Sequence, residues 1–480
     1  MQFISQTTGY WFLLIFSLSM ILITYLFSRV RKWKNKDSFL VAGRKVKWWL
    51  GGPSIAASWI WAGALFVSVQ MAYQKGLAGI FWFTFPNVLA LALFAFWAPQ
   101  IRKKFVNGYT LPQFIKHKLG CDKVHKIYLI PFFFIQLIAI IFNVFAGGTM
   151  ISLLTGIPMV QVVPVLAIVA LLYTLISGVE ASIITDFIQM TLIIGGIAII
   201  VPWAFHAAGG ASVVSAGLGG LSGGFRNIFH PGVAFSLGIV SSIGLISSTI
   251  ADQQYWQRTF AMKDGHIAKS FLFGAVLFAL VPIVLSLLGF IGASPSSGVV
   301  LPAGVDPSMI GVVTVSSLLP SWATALFVLI LLAGLRSTVA SAISATSSLW
   351  ATDVVKSGDD KTVIRKSRYA MIGVTLIGLA CVYIIMSITG MGLNHLWLLS
   401  ISVAASISVP TVLSVYWDRL SAKGVFWGVL IAMIVGMPVF FYANLVDNTI
   451  WVVMASLFMI AISTAFCVLM PKKDVVVLRS

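Results

Sequence analysis

Long apolar runs, separated by short polar or basic segments, set the pattern of this chain. A run of ~20 apolar residues in helical form crosses a bilayer. On that basis the hydropathy predicts about 13 spans, near 9–29, 48–74, 79–101, 126–154, 158–178, 184–207, 232–256, 268–293, 321–352, 367–389, 394–416, 424–444 and 449–470. The first run has no basic residue ahead of it and carries its flanking charge behind, from Arg29 onward, so it reads as a retained helix rather than a cleavable signal. The expected architecture is an all-α membrane protein.

Two interruptions of the pattern stand out. The second span carries Gly51-Gly52-Pro53 followed by Ser54-Ile55-Ala56-Ala57-Ser58, and the seventh carries Gly238, Ser241, Ser242, Gly244, Ser247, Ser248 and Thr249. They lie five spans apart, an odd number, so they cross in opposite directions. Broken spans at matching places of two halves point to an inverted repeat with a binding site at the midplane, although Gly and Pro are also commoner in membrane helices generally. A third feature is the ninth span, where Ser337, Ser341, Ser344 and Ser348 recur at steps of four, three and four, with Thr338 beside them. That spacing aligns hydroxyls on one helical face, which hydrocarbon does not satisfy. The stripe serves either close helix packing or a hard cation such as Na⁺, which prefers neutral oxygens.

Composition agrees with a membrane protein and changes little else. Apolar residues make up 59% of the chain, charged residues 9%, and the mean hydropathy is +1.01, whereas soluble domains carry about a quarter charged residues. Charge adds orientation. With spans alternating from an outside N-terminus, 28 of the 31 Lys and Arg residues fall on the cytoplasmic side, leaving Lys75, Arg226 and Arg336. This bias places the N-terminus outside and the C-terminus in the cytoplasm, in the plasma membrane or a bacterial inner membrane. The +18 charge is therefore topology and implies no nucleic-acid partner.

The longest outer segments are 208–230, read as a flexible connector with turns at Gly219, Gly220, Gly223 and Gly224, and 293–320, which has room for short surface helices. Neither holds a soluble catalytic domain. Cys121, Cys381 and Cys467 lack metal-ligand spacing, and the six histidines fall in or near loops, so the expectation is no enzyme and no cofactor.

Four ordered motifs carry a family resemblance. They are Asp37-Ser38-Phe39-Leu40-Val41-Ala42-Gly43-Arg44 after the first span, Thr185-Asp186-Phe187-Ile188-Gln189 in the sixth, Gln257-Arg258-Thr259-Phe260-Ala261-Met262-Lys263 after the seventh, and Arg336-Ser337-Thr338 with Ser347-Ser348 and Thr352-Asp353 in the ninth. Together they resemble the solute:sodium symporters. Ala57-Ser58-Trp59-Ile60-Trp61-Ala62, residues 72–82 and Asp252-Gln253-Gln254-Tyr255-Trp256 resemble the urea-transporter branch. The resemblance implies a leucine-transporter-like five-plus-five inverted repeat: a leading helix at 9–29, halves at 48–207 and 232–416, and trailing helices at 424–470.

The resemblance also implies residue roles. Sodium would be held by carbonyls of Ala57, Ile60 and Gly334 and by hydroxyls of Ser337 and Thr338, with Asp186 and Ser341 as a second cation or proton site. Trp59, Trp61, Gln70, Asn143 and Ser248 would face a small solute, with Asn87 also in reach. Ser248 stands where sugar-type members carry a tyrosine gate, so a sugar is disfavoured. Glu180 and Asp353 are expected near the cytoplasmic ends, bound to solvent or loop lysines.

Arg336 departs from the family pattern. It is read as pairing with Asp186, meeting an anionic substrate, or facing a cytoplasmic water cavity, with a coupling or charge-balance role. The expected function is import of a small polar solute, urea being one candidate, coupled to Na⁺ by alternating access. A proton-coupled or uncoupled transporter or channel for a small neutral or anionic solute is the alternative.

Overall fold

The computed structural model describes residues 4–30, 36–176, 179–355, 359–388 and 390–472. Among them the chain is helical, with one isolated backbone bridge between Val46 and Met262. Ten helical stretches among the described residues are long and apolar enough to cross a membrane. This differs from the thirteen expected because Gly63–Lys104 carries parts of two expected spans, Met159–Leu175 is a shorter apolar helix, and the leading helix Gln6–Val30 lies outside that set.

The half-helix Trp48–Trp59 ends at Ile60, whose ψ of 74° leaves helical space. Trp61 N–H, which would close the next turn on Ala57, bonds Trp59 O at 3.0 Å instead. Ala62 N–H is taken by Asn143 Oδ1 at 2.9 Å. The carbonyl of Ala57 is thereby released from its helical partner in mid-membrane. A wide π turn, Gly63–Val67, then restarts the helix as Ser68–Lys104.

That second helix is interrupted at Lys75 and Gly76, between the expected second and third spans. Gly76 has φ +53°, and a Cβ there would meet Leu218 O at 2.3 Å. The reason lies in residues 208–230, which are not the loose connector expected. They form the helix Ala211–Gly217, and the following turn bonds across the kink, with Leu77 N–H on Leu218 O, Leu221 N–H on Tyr73 O and Ala78 N–H on Phe225 O.

The seventh span breaks as well. Ile239–Ala251 stops at Asp252, which is extended, and the chain resumes as Gln253–Ala261. Asp252 caps the new helix by accepting from Gln254 N–H at 2.8 Å, and Gln136 Nε2 donates to it at 2.9 Å. Trp256 Nε1 donates to Ile250 O at 2.7 Å, so the freed carbonyl of this break is already occupied.

Both breaks face the centre. Ser321–Leu349, which carries the hydroxyl stripe, packs on Asp122–Thr155 and Val179–Ala207, and Trp48–Trp59 packs on Val179–Ala207 and Ile267–Ala293. Aromatic residues such as Trp11, Trp48, Trp49, Trp322 and Trp451 are exposed on the outer surface, as lipid-interface side chains are.

Candidate functional site

Thr338 lies opposite the first break. Its Oγ1 is 3.0 Å from Ile60 O and 3.5 Å from Gly334 O, and Ala57, Ile60 and Thr338 are fully buried. Of the five residues expected around sodium, Ile60, Gly334 and Thr338 meet here, while the Ser337 hydroxyl is turned to Asp186, donating to Oδ1 at 2.7 Å. The donors are neutral oxygens, the set that suits a hard monovalent cation, and broken-helix carbonyls are a recognised cation ligand.

Asp186 is not paired with Arg336. Its partner is Arg258, whose Nη2 lies 2.8 Å from Oδ2 with both side chains almost fully buried. Ser54 Oγ donates to the same oxygen at 2.7 Å, and Arg258 also reaches Ser54 Oγ at 2.9 Å and Ser341 Oγ at 2.9 Å. The expected second cation site, Asp186 with Ser341, is therefore crossed by a guanidinium. Arg258 follows a span and looked like a cytoplasmic loop charge, but the break at Asp252 turns Gln253–Ala261 back into the protein. Its place in the Gln257-Arg258 motif was the one signal available.

The same half-helix explains the rest of the stripe. Gln257 Nε2 reaches Ser344 Oγ at 3.5 Å, Gln253 Nε2 reaches Ser348 Oγ at 3.1 Å, and Ser341 Oγ is 3.3 Å from Ser58 Oγ. The stripe faces protein along its length: its outer end meets the broken helix and its inner end a row of amides.

Asp353 is buried rather than bound to solvent. His125 Nε2 is 2.6 Å from Oδ1, and Thr110 Oγ1 donates to Oδ2 at 2.9 Å. His125, expected near a loop, sits inside Asp122–Thr155 at 2% exposure. The side chain of Glu180 lies outside the described residues.

Arg336 points away from the solute side of its helix. Its guanidinium carbon is 4.1 Å from the centre of the Tyr173 ring. With the Gln189 amide oriented to satisfy both neighbours, the Gln189 oxygen accepts from Arg336 Nε at 3.2 Å and from Nη2, and its nitrogen donates to Ser337 Oγ at 3.2 Å.

A small cavity of about 30 Å³ opens beside the first break, lined by Trp59, Trp61, Phe83, Asn87, Ser248 and Trp397, among others. Of the residues expected to face a solute, Trp59, Trp61 and Ser248 line this cavity. Gln70 is not in this lining; its Nε2 is turned along its own helix to Gln74 Oε1 at 3.4 Å. Asn143 is not there either, because its oxygen holds Ala62 N–H and its nitrogen donates to Ala139 O at 2.7 Å. Sequence reasoning missed Phe83, Phe278, Trp397 and Ser400, which also line the cavity.

Two broken helices, a carbonyl–hydroxyl cluster and a polar-tipped aromatic cavity at their junction define a broken-helix membrane transporter. The chain belongs to the sodium:solute symporter family, whose sequence model matches residues 39–432. That family and the relatives below are transporters rather than enzymes.

Similar proteins include a urea-proton symporter DUR3 of Oryza sativa subsp. japonica, 21% identical over 84% of this chain and 60% of that protein. Another is sodium/glucose cotransporter 1 of Oryctolagus cuniculus, 23% identical over 83% of this chain and 66% of that protein. The chain thus spans under two thirds of the length of either. Among solved structures, a Na⁺-coupled sialic acid symporter in a substrate-bound outward-open state matches with TM-score 0.76 at 18% identity, over 97% of this chain and 98% of that one. MhsT in complex with L-phenylalanine matches with TM-score 0.55 at 12% identity, over 92% and 98%. These likenesses establish the leucine-transporter-like five-plus-five fold.

Proposed function

We propose that this chain imports a small polar solute, with urea as the leading candidate, by alternating access driven by inward Na⁺ movement. One observation carries the reading: the Ile60 carbonyl lies 3.0 Å from the Thr338 hydroxyl where the first helix breaks, and the Ala57 carbonyl just before the break has lost its helical partner. A cation there would tie the half-helix Trp48–Trp59 to Ser321–Leu349 and favour one arrangement of the two. The solute would sit in the adjoining cavity, stacked between Trp59, Trp61 and Trp397, with Asn87, Ser248 and Ser400 available to its polar groups. Urea is supported by the urea transporters among the relatives and by the short serine at 248.

In this reading residues 48–207 and 232–416 are the two inverted halves, Gln6–Val30 leads them, and Ala422–Leu445 and Thr449–Leu469 trail. The N-terminus is outside and the C-terminus cytoplasmic, in the plasma membrane or a bacterial inner membrane.

Proton coupling is the second reading, favoured by the buried carboxylate of Asp186 one hydrogen bond from Ser337 and by the proton-coupled rice relative. Proteoliposomes carrying the purified chain separate the two. Labelled urea, amino acids, monocarboxylates and sugars are offered under an inward Na⁺ gradient at fixed pH, then under a pH gradient without Na⁺. The expected result is urea accumulation in the first condition alone. Accumulation driven by the pH gradient alone would overturn sodium coupling, and accumulation of another solute in place of urea would overturn the substrate.

A further inference from the structure

On the side of Ser321–Leu349 away from the solute cavity lies a second, small cavity of about 20 Å³ between the leading helix, Asp122–Thr155 and Met159–Ile176. Ser17, Asn143, Leu166, Val169 and Arg336 are among its walls, and it shares no lining residue with the solute cavity. Arg336 is 6% exposed, inside a span, where an uncompensated charge is costly. Among the described residues it makes no ion pair, since Asp186, the carboxylate of the network, is held by Arg258. Asp252 is taken up by Gln136 and Gln254. Gln189 and the Tyr173 ring answer Nε, Nη2 and the guanidinium face, but Nη1 is buried with no hydrogen-bond partner.

We propose that this cavity binds a small monovalent anion of the halide class, chloride being the probe, against the Arg336 guanidinium. The groups around it select for that charge. Arg336 supplies a fixed cation with a free donor, and Asn143, whose oxygen is already occupied, has a second amide hydrogen to give. Among the described residues no carboxylate lines the space. A cation is repelled, a neutral solute leaves the charge uncompensated, and a dianion lacks a second positive group.

The anion also reaches the cation site. Arg336 is joined to Asp186 through Gln189 and Ser337, and Thr338 is two residues along the same helix. Compensating Arg336 therefore lowers the repulsion felt by a cation at Thr338 and Ile60. This coupling half rests on the sodium reading above; the binding half does not.

The test uses the purified full chain in detergent and in proteoliposomes. Radioactive chloride should bind saturably, be displaced by bromide, and be lost in Arg336→Met. Val339→Asp, which puts a carboxylate on the cavity wall one helical turn from Arg336, should also abolish binding while leaving Arg336 in place. Replacing chloride by gluconate should raise the Na⁺ concentration for half-maximal uptake by roughly threefold or more in the native chain and leave both variants unchanged. Absent chloride binding, or binding that survives Arg336→Met, would overturn the site. Chloride binding with Na⁺ dependence indifferent to chloride would overturn the coupling alone, and uptake indifferent to Na⁺ would remove the sodium reading while the anion site stood.

Discussion

Thr338 decides whether the meeting of helix break and hydroxyl holds a cation or only packs. Its Oγ1 touches Ile60 O at 3.0 Å, and the side chain is fully buried, so the loss is not made up by water. Thr338→Ala removes a hydroxyl and a methyl, whereas Thr338→Ser removes the methyl alone. The difference between the two variants isolates the oxygen. Losing one neutral ligand of hydrogen-bond strength costs about 1–2 kcal/mol, or roughly five- to thirtyfold in affinity. The missing methyl costs about 0.8 kcal/mol of packing in both variants and bears on stability, not on ion selectivity. The assay is initial uptake by proteoliposomes against Na⁺ concentration, with folded protein checked by gel filtration. Thr338→Ala should shift the half-saturating Na⁺ by that factor while Thr338→Ser stays near native. An unshifted Na⁺ curve in Thr338→Ala, with transport intact, would refute the ion site and leave helix packing as the role of the stripe.

Two further predictions concern the network and the orientation. Arg258→Gln leaves Asp186 buried without its counter-charge and should cost about 3–5 kcal/mol, read as a lowered unfolding midpoint in detergent, while Arg258→Gln combined with Asp186→Asn should recover most of it. A double variant no more stable than the single one would show that the pair does not hold these helices. Single cysteines at Gly223 and Lys361 report topology: an impermeant reagent added outside intact cells should label the first and spare the second, and the opposite pattern would invert the proposed orientation.

Much of this protein was legible along the chain because bilayer crossing is a local property. Twenty apolar residues make a span in whatever context they stand, and the second and seventh spans, marked out by Gly51-Gly52-Pro53 and the serine run, do each break, although at Ile60 and Asp252, past those clusters. The hydroxyl spacing in Ser321–Leu349 fixed which residues share a face. Partnership was not legible. Asp186 has Arg258 and Arg336 as possible cations, and no periodicity chooses between them; the choice is made by the break at Asp252, which turns Gln253–Ala261 inward. His125 and Asp353 are far apart in sequence and each looked interfacial, yet they meet in a buried pair. Gln70 and Asn143 had the right polarity and depth for a solute, but helix rotation turned one onto its own helix and placed the other on the freed amide of Ala62. The sequence by itself determined the apolar runs and the polar faces, since these depend on neighbours in the chain. Which charge answers which, and which side of Ser321–Leu349 Arg336 occupies, depend on how helices rotate against one another, and only the tertiary structure decided them.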